Sequence, residues 1–262
     1  MRRNHLFEFT DLAWYPQTFR RMQTDYLQFS ATLGEGHKNL VPLFIKAMQH
    51  AQTTEILDLC SGGTGPWIRL QEHFKQAGLS VTIKLTDKYP HPEAVQKWSE
   101  KSSPGIEYLA EPVDALQVPD HLHGMRTLFE GFHHFKPAQA RSILQDACAR
   151  KVAIGIFEAS LKPPFGPFIL LLAPLMTVLG YFFITPFIKP RTLTRFFWTY
   201  LIPIVPLATC WDGIISLLRV YSPQELQELT GQIDCGGYTW ETGLASTGTP
   251  LFVFTYLVGY PA

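Results

Sequence analysis

His133 and His134 stand side by side between a β-type run and an amphipathic helical pattern. An imidazole there can act as a general base toward an oxygen or nitrogen nucleophile, because it titrates near neutral pH. Two carboxylates compete for the role: Glu130, just before the pair, and Glu158, at the end of a continuous apolar run over 152–158. Consecutive histidines after a parallel strand are expected to point to different faces, so at most one of them faces the site. The plainer reading is a hydrogen-bonded pair at a strand end. A third acid, Asp212, stands alone in an apolar stretch within Cys210-Trp211-Asp212-Gly213. A lone carboxylate is costly to bury unless it is paired or hydrogen-bonded. Asp212 is therefore expected either to cap a helix starting at Gly213, with Arg219 or Tyr221 as its partner, or to orient a substrate amine or hydroxyl.

A second set of residues precedes these. Glu55-Ile56-Leu57-Asp58 is an apolar strand ending in an acid, followed by Leu59-Cys60-Ser61-Gly62-Gly63-Thr64-Gly65 and a helix predicted over 68–77. Glycines let the backbone take positive φ and let a ligand approach the main chain without a Cβ in the way. The helix N-terminus adds unpaired N–H groups and the positive end of a dipole. Alone, such a turn serves as readily for a simple connection. A β-branched strand over 81–87 follows, and it ends at Asp87. Strand, Gly-rich turn, helix, strand and acid is the layout of a nucleoside site at the carboxyl edge of a parallel sheet, where the distal acid accepts the ribose hydroxyls. The turn does not spell G-x-G-x-x-G, which makes a dinucleotide the weaker reading.

Asp58 to Gly65 resembles the first motif of class I S-adenosylmethionine-dependent methyltransferases, an acid followed by alternating glycines. It departs from that pattern with Cys60 at the first Gly position and one extra residue before Gly65. The resemblance extends over nearly the whole chain and implies a cofactor, S-adenosyl-L-methionine. It would be held by Asp58, Cys60, Ser61, Gly62, Gly63, Gly65, Asp87, Lys88, Asp114, Ala115 and Glu130, with Asp114 where the family commonly places an adenine-contacting acid. It also implies methyl transfer to a small, apolar or amphipathic acceptor, with His133, His134 and Asp212 as candidate catalytic groups. A cofactor-binding adaptor without turnover, associated with a membrane or a protein partner, is the alternative.

The remaining elements are in the order that such a core needs. Short strands are expected at 106–109 and 126–135, an amphipathic helix at 137–150 and a buried strand at 152–158. Ser222-Pro223-Gln224-Glu225 reads as a capped helix start. Two strands, at 238–244 and 251–258, would form an antiparallel hairpin. The expected fold is a Rossmann-like α/β/α sandwich with a mostly parallel seven-stranded sheet, a helical cap over 1–50, and a core over 51–262 interrupted by a hydrophobic helical insertion at about 163–218. The cap is aromatic-rich, and Pro16 favours a helix from there to Phe29.

The balance of 22 basic and 22 acidic residues provides no basic field for nucleic acid. Four scattered cysteines, Cys60, Cys148, Cys210 and Cys235, suggest neither zinc nor a disulfide framework, and no metal is expected. That usage and the polar N-terminus suit a reducing cytoplasm. The insertion is the departure from a minimal core: 164–188 carries no charged residue, and 196–218 holds Asp212 as its only charged residue. It reads as a lid over an apolar acceptor, a shallow membrane contact or a spanning hairpin. Basic Lys189, Arg191 and Arg195 in its turn and its several prolines weigh against spanning. On this reading the insertion serves the acceptor and leaves the methyl donor to the core.

Overall fold

The computed structural model describes residues 3, 6–33, 35–63, 65–90, 94–96, 98, 104–161 and 166–262. Its centre is a sheet of seven strands: β1 (Glu55–Asp58), β2 (Thr82–Leu85), β3 (Ile106–Tyr108), β4 (Met125–Phe129), β5 (Ile154–Leu161), β6 (Tyr238–Ser246) and β7 (Phe252–Pro261). Their spatial order is β3-β2-β1-β4-β5-β7-β6. The first five run parallel, while β7 is antiparallel to β5 and β6 antiparallel to β7. The chain steps outward from β1 to β2 and β3, then returns to place β4 on the other side of β1. That reversal opens a crevice at the carboxyl ends of β1 and β4, where ligands of open α/β sheets bind.

Alternation along the strands divides the apolar residues between two cores, one on each sheet face. Ile56, Ile83, Met125 and Phe157 pack against α2 (Val41–His50) and α3 (Trp67–Gln76), through Phe44, Leu70 and Phe74. Leu57, Leu128, Ile154 and Ile156 pack on the other face against α4 (Pro137–Ala149) and a later helix that carries Leu226 and Leu229. β5 is buried from Ile154 to Glu158 because it is covered on both faces, which explains its uninterrupted apolar run. Of residues 1–50, α2 belongs to this sandwich, and the cap proper is the segment before it, with α1 (Gln17–Thr32).

A third core joins that cap to the insertion. Met22 and Tyr26 of α1 pack with Tyr181 of α5 (Gly166–Ile184), Ile188 and Val205, and the Tyr26 and Tyr181 rings stack at 4.1 Å. After α5 come a short helix α6 (Leu193–Phe196), a π-helical turn (Phe197–Leu201), and α7 (Ile204–Arg219). Residues 162–165, at the start of the expected insertion, lie outside the described residues. Helix α8 (Pro223–Thr230) begins with the predicted capping box: Ser222 Oγ accepts from Glu225 N, and Glu225 Oε2 accepts from Ser222 N.

Three expectations are corrected. The fourth strand stops at Phe129 instead of continuing to 135, because Glu130 takes a left-handed φ of 50° and the chain then closes a 3₁₀ turn, Phe132–His134. Asp212 does not cap a helix; it lies inside α7, since the helix starts eight residues earlier at Ile204. Cys148 and Cys235 are joined as a disulfide, with Cα atoms 6.2 Å apart across 87 residues of sequence. The end of α4 packs against the loop before β6, a proximity that spacing in the sequence cannot reveal, and the reducing-compartment reading loses its support from cysteine usage.

Candidate functional site

The donor side is built on the carboxyl ends of β1, β2 and β3. Asp58 closes β1 and is buried; Ser61 Oγ donates to its Oδ2 at 2.6 Å and Thr127 Oγ1 to its Oδ1 at 2.7 Å. Burial pushes the Asp58 pKa up to about 6, against the opposing effect of these hydroxyls. Asp58 and Ser61 are therefore internal braces of the loop. With a folded pKa above the ordinary 3.8, the native state binds the proton more tightly than the unfolded chain. The stability this confers is present below the unfolded value and lost as pH rises through 6. Between about pH 4 and pH 8 the wild type should lose on the order of 2–3 kcal/mol relative to Asp58→Asn in urea unfolding. Parallel profiles for the two proteins would show that Asp58 is solvated.

The loop itself turns through positive φ at Cys60 (59°), Gly62 (51°) and Gly65 (52°). Cys60 thus adopts the glycine-type conformation that its place in the motif calls for, although it carries a side chain. A Cβ on Gly62 would meet nothing within 4 Å, so its outer face is open. A Cβ on Gly63 would lie 2.8 Å from Thr24 Cγ2, so α1 rests directly on the loop. Thr64 lies outside the described residues.

Asp87 follows β2 and reaches back to this loop. Its Oδ2 accepts from Gly62 N at 3.0 Å and its Oδ1 from Tyr89 N at 2.9 Å. Tyr108 Oη donates to Gly62 O at 3.0 Å, tying the loop to β3 as well. Asp114 is paired with Lys88 at 2.7 Å and accepts from Leu116 N at 3.0 Å. Burial raises its pKa, but Lys88 and the Leu116 N–H outweigh that and hold it below the usual carboxylate range. Ala115 is buried in the second core.

The opposite wall of the crevice carries the histidines. Gly131 lies beside Cys60, since a Cβ there would be 3.2 Å from Cys60 Cβ. Glu130 Oε1 accepts from Ala159 N at 2.7 Å. Enclosure of the carboxylate and the neighbouring charge of Glu158 push the Glu130 pKa up to about 8. The residue is otherwise exposed, so screening limits what this contributes to stability.

His133 and His134 do not point to different faces. The 3₁₀ turn brings their rings to 4.3 Å, and both lie toward Glu8 of the N-terminal segment. His133 Nδ1 is 2.7 Å from Glu158 Oε1, which also accepts His133 N at 2.8 Å. His133 Nε2 is buried, has no hydrogen-bond partner among the described residues, and lies 3.6 Å from Glu8 Oε1. His134 Nδ1 is 2.9 Å from Asp11 Oδ1. Burial disfavours the charged imidazole of His134, yet the Asp11 hydrogen bond and the Glu8 charge outweigh it and raise its pKa.

Arg219 of α7 completes the cluster, with Nη1 at 2.8 Å from Glu8 Oε1 and 2.7 Å from Asp11 Oδ2. Glu8, His133 and His134 offer ligand atoms within 4.8 Å of one another, a spacing a cation could use, but the guanidinium already supplies positive charge to Glu8. Asp212 accepts from Phe9 N (2.6 Å), Thr10 N (3.3 Å) and Gln23 Nε2 (3.1 Å). Its partners are thus the cap, and neither Arg219 nor Tyr221. Burial raises its pKa against these donors. Sequence reasoning missed Glu8 and Asp11 as parts of this cluster and offered Arg219 only as a partner for Asp212; the available signal was two acids three residues apart in an aromatic segment.

Strand order, a Gly-rich loop after β1, and acids following β2 and β3 define the fold of class I S-adenosylmethionine-dependent methyltransferases. Among solved structures, one with a TM-score of 0.50 shares this fold, and two further alignments fall below that value. The mitomycin 7-O-methyltransferase MmcR aligns with a TM-score of 0.50 at 11% identity, over 98% of this chain and 61% of that one. Human N-acetylserotonin methyltransferase, solved in complex with SAM, aligns at 0.49 and 14% identity, over 100% and 63%. LepI in complex with SAM aligns at 0.46 and 17%, over 80% and 43%. This chain therefore spans between 43% and 63% of the length of these proteins. No family model and no curated protein matches the sequence. At these identities the likeness speaks to the fold and not to the reaction.

Proposed function

We propose that the protein is an S-adenosylmethionine-dependent methyltransferase acting on a small, apolar or amphipathic acceptor. The observation that carries this reading is the tie between Asp87 and Gly62 at the carboxyl edge of β1 and β2. The residues present suit the cofactor. Each Asp87 oxygen has one protein donor and keeps capacity for a ribose hydroxyl. Gly62 presents an open face of main chain. Tyr89, 77% exposed beside Asp87, offers an aromatic surface of the kind that stacks on a base. Asp114 and Lys88 stand at the same edge. When bound, the cofactor supplies an electrophilic methyl group on a sulfonium.

The chain's own part is to align the acceptor, exclude water and hold a proton. Glu158 on Nδ1 fixes the His133 tautomer and leaves the Nε2 lone pair to take a proton from an acceptor hydroxyl or amine. Glu8 covers that nitrogen, so the N-terminal segment forms the acceptor-side wall and has to shift for an acceptor to reach His133. Asp212 serves this wall by holding Phe9 and Thr10, and thus acts through position.

Asp87→Ala tests the reading directly. Removing a charged acceptor for two hydroxyls costs roughly 1.5–3 kcal/mol. Calorimetric affinity for S-adenosylhomocysteine should fall at least about tenfold in a protein that remains folded. Unchanged affinity would remove Asp87 from the site.

A further inference from the structure

From the outward surface of α5, α6 and α7 we infer that the protein docks on a lipid bilayer as a monotopic membrane protein, with this face buried among acyl chains. The inference does not depend on the cofactor reading. Leu171, Leu172, Leu175, Met176, Leu179 and Phe183 of α5 are all exposed, and their spacing places them along one face of the helix. Amphipathic helices of a water-soluble fold turn such a stripe inward; here Tyr181 and its neighbours already fill the inward side. The face continues over the next elements. Leu193, Phe197 and Leu201 recur at four-residue steps, with Leu193 90% exposed, and Ile204, Leu207 and Trp211 extend it along α7. An open concavity of about 580 Å³ is formed within the segment 193–201, lined by Leu193, Phe196, Phe197, Trp198 and Tyr200. Contiguous apolar surface of this extent marks an interaction site.

Three observations select a bilayer over a protein partner. The first is charge. Between Glu158 and Asp212 the sequence has no acid, and it holds Lys162, Lys189, Arg191 and Arg195. Lys189 and Arg191 are exposed where α5 turns toward α6, suited to anionic headgroups at the rim of an apolar face. The second is the near absence of hydrogen-bonding side chains along the α5 stripe. Protein interfaces carry about one hydrogen bond per 100–200 Å², whereas hydrocarbon demands none. The third is length and shape. Among the described residues no single helix is long and apolar enough to cross a membrane, and the segments Leu193–Leu201 and Ile204–Arg219 meet at a bend of 73°. Helices of this kind lie in the interfacial plane.

α7 links this face to the crevice. Trp211 lies on the apolar side, while Arg219, eight residues or about 12 Å further along the helix, contacts Glu8 and Asp11 beside the histidines. An amphipathic molecule dissolved in the bilayer would thus meet the acceptor-side wall from the membrane.

The test is sedimentation of the full chain with phosphatidylcholine vesicles containing phosphatidylglycerol as the minor component. Protein extracted in detergent is diluted into them. Wild type should co-sediment, and Leu171→Asp/Phe183→Asp/Leu193→Asp should partition at least about tenfold more weakly. These side chains are exposed, so circular dichroism and S-adenosylhomocysteine affinity should match wild type. A second variant, Lys189→Glu/Arg191→Glu, should bind neutral vesicles as wild type does and lose the preference for anionic ones. Wild type that stays in solution would overturn the inference, as would a triple variant that binds equally well. So would a wild-type dimer in ultracentrifugation that the triple variant converts to a monomer, because a second copy would then be what covers the face.

Discussion

Valine at both Gly62 and Gly63 is expected to eliminate S-adenosylhomocysteine binding while leaving the sandwich folded. The two substitutions act by different routes. At Gly62 there is room for a side chain, but the φ of 51° is left-handed. A residue with a Cβ loses about 1–2 kcal/mol there, and a β-branched one more. Relaxing that strain rotates the Gly62 N–H away from Asp87 Oδ2 and dismantles the tie on which the donor side rests. At Gly63 the backbone is tolerant and space is not: the new Cβ would lie 2.8 Å from Thr24 Cγ2 and 3.0 Å from Gln28 Oε1. Either the loop or α1 has to move. Calorimetry on a variant with native circular dichroism should show no measurable heat of binding. Binding close to wild type would mean that the loop is merely a connection between β1 and α3.

Arg219→Ala should be the most destabilising single change on the acceptor side. Arg219 and Glu8 are both buried, while Asp11 lies at the exposed edge of the cluster. Contacts to Arg219 and His134 hold the Asp11 carboxyl below its usual range, although its own burial pushes the other way. Truncating the guanidinium leaves two carboxylates facing each other beside His133 and His134, without the full positive charge that Arg219 supplies. Removing one partner of a buried pair typically costs about 3–5 kcal/mol. Urea unfolding should register that loss, and proteolysis should cut first in the released N-terminal segment. Arg219→Lys restores the charge and should recover more than half of the loss. A cost below about 1 kcal/mol for the alanine variant would show that the cluster is solvated like a surface pair.

The parts of this fold that were legible in the sequence are those encoded locally. The strand ending at Asp58, the turn after it and the acid at Asp87 lie within about 30 residues, and each obeys short-range rules for Gly, β-branched residues and strand ends. The capping box at Ser222 was legible for the same reason. What was hidden depends on distance along the chain or on single backbone exceptions. Glu8 meets His133 across 125 residues, and Cys148 meets Cys235 across 87. Glu130 ends β4 by entering a conformation that its side chain disfavours, so a periodicity argument runs straight past it to residue 135. Asp212 was expected at a helix end because acids usually cap; instead, α7 carries it mid-helix and provides the buried charge with donors from another segment. The expected division of labour rests on sequence order alone, which does not show how the cap joins the two sides. The insertion packs on α1, and α1 rests on Gly63, so a chain of contacts runs from the insertion to the donor-side loop.

That placement of α1 has a thermodynamic corollary. One face of the helix bears on the Gly63 loop and another stacks on Tyr181 of α5. A single body therefore touches both surfaces. Linkage makes any exchange between them symmetrical: whatever factor a bilayer under α5 applies to nucleoside affinity, the nucleoside must apply to membrane partition. The energy available to that coupling is limited to the difference that each ligand makes between the positions α1 can adopt. In such an arrangement the cap is a shared degree of freedom as well as a cover: a change that leaves α1 in place stays local to its own surface, and one that shifts α1 is felt at both.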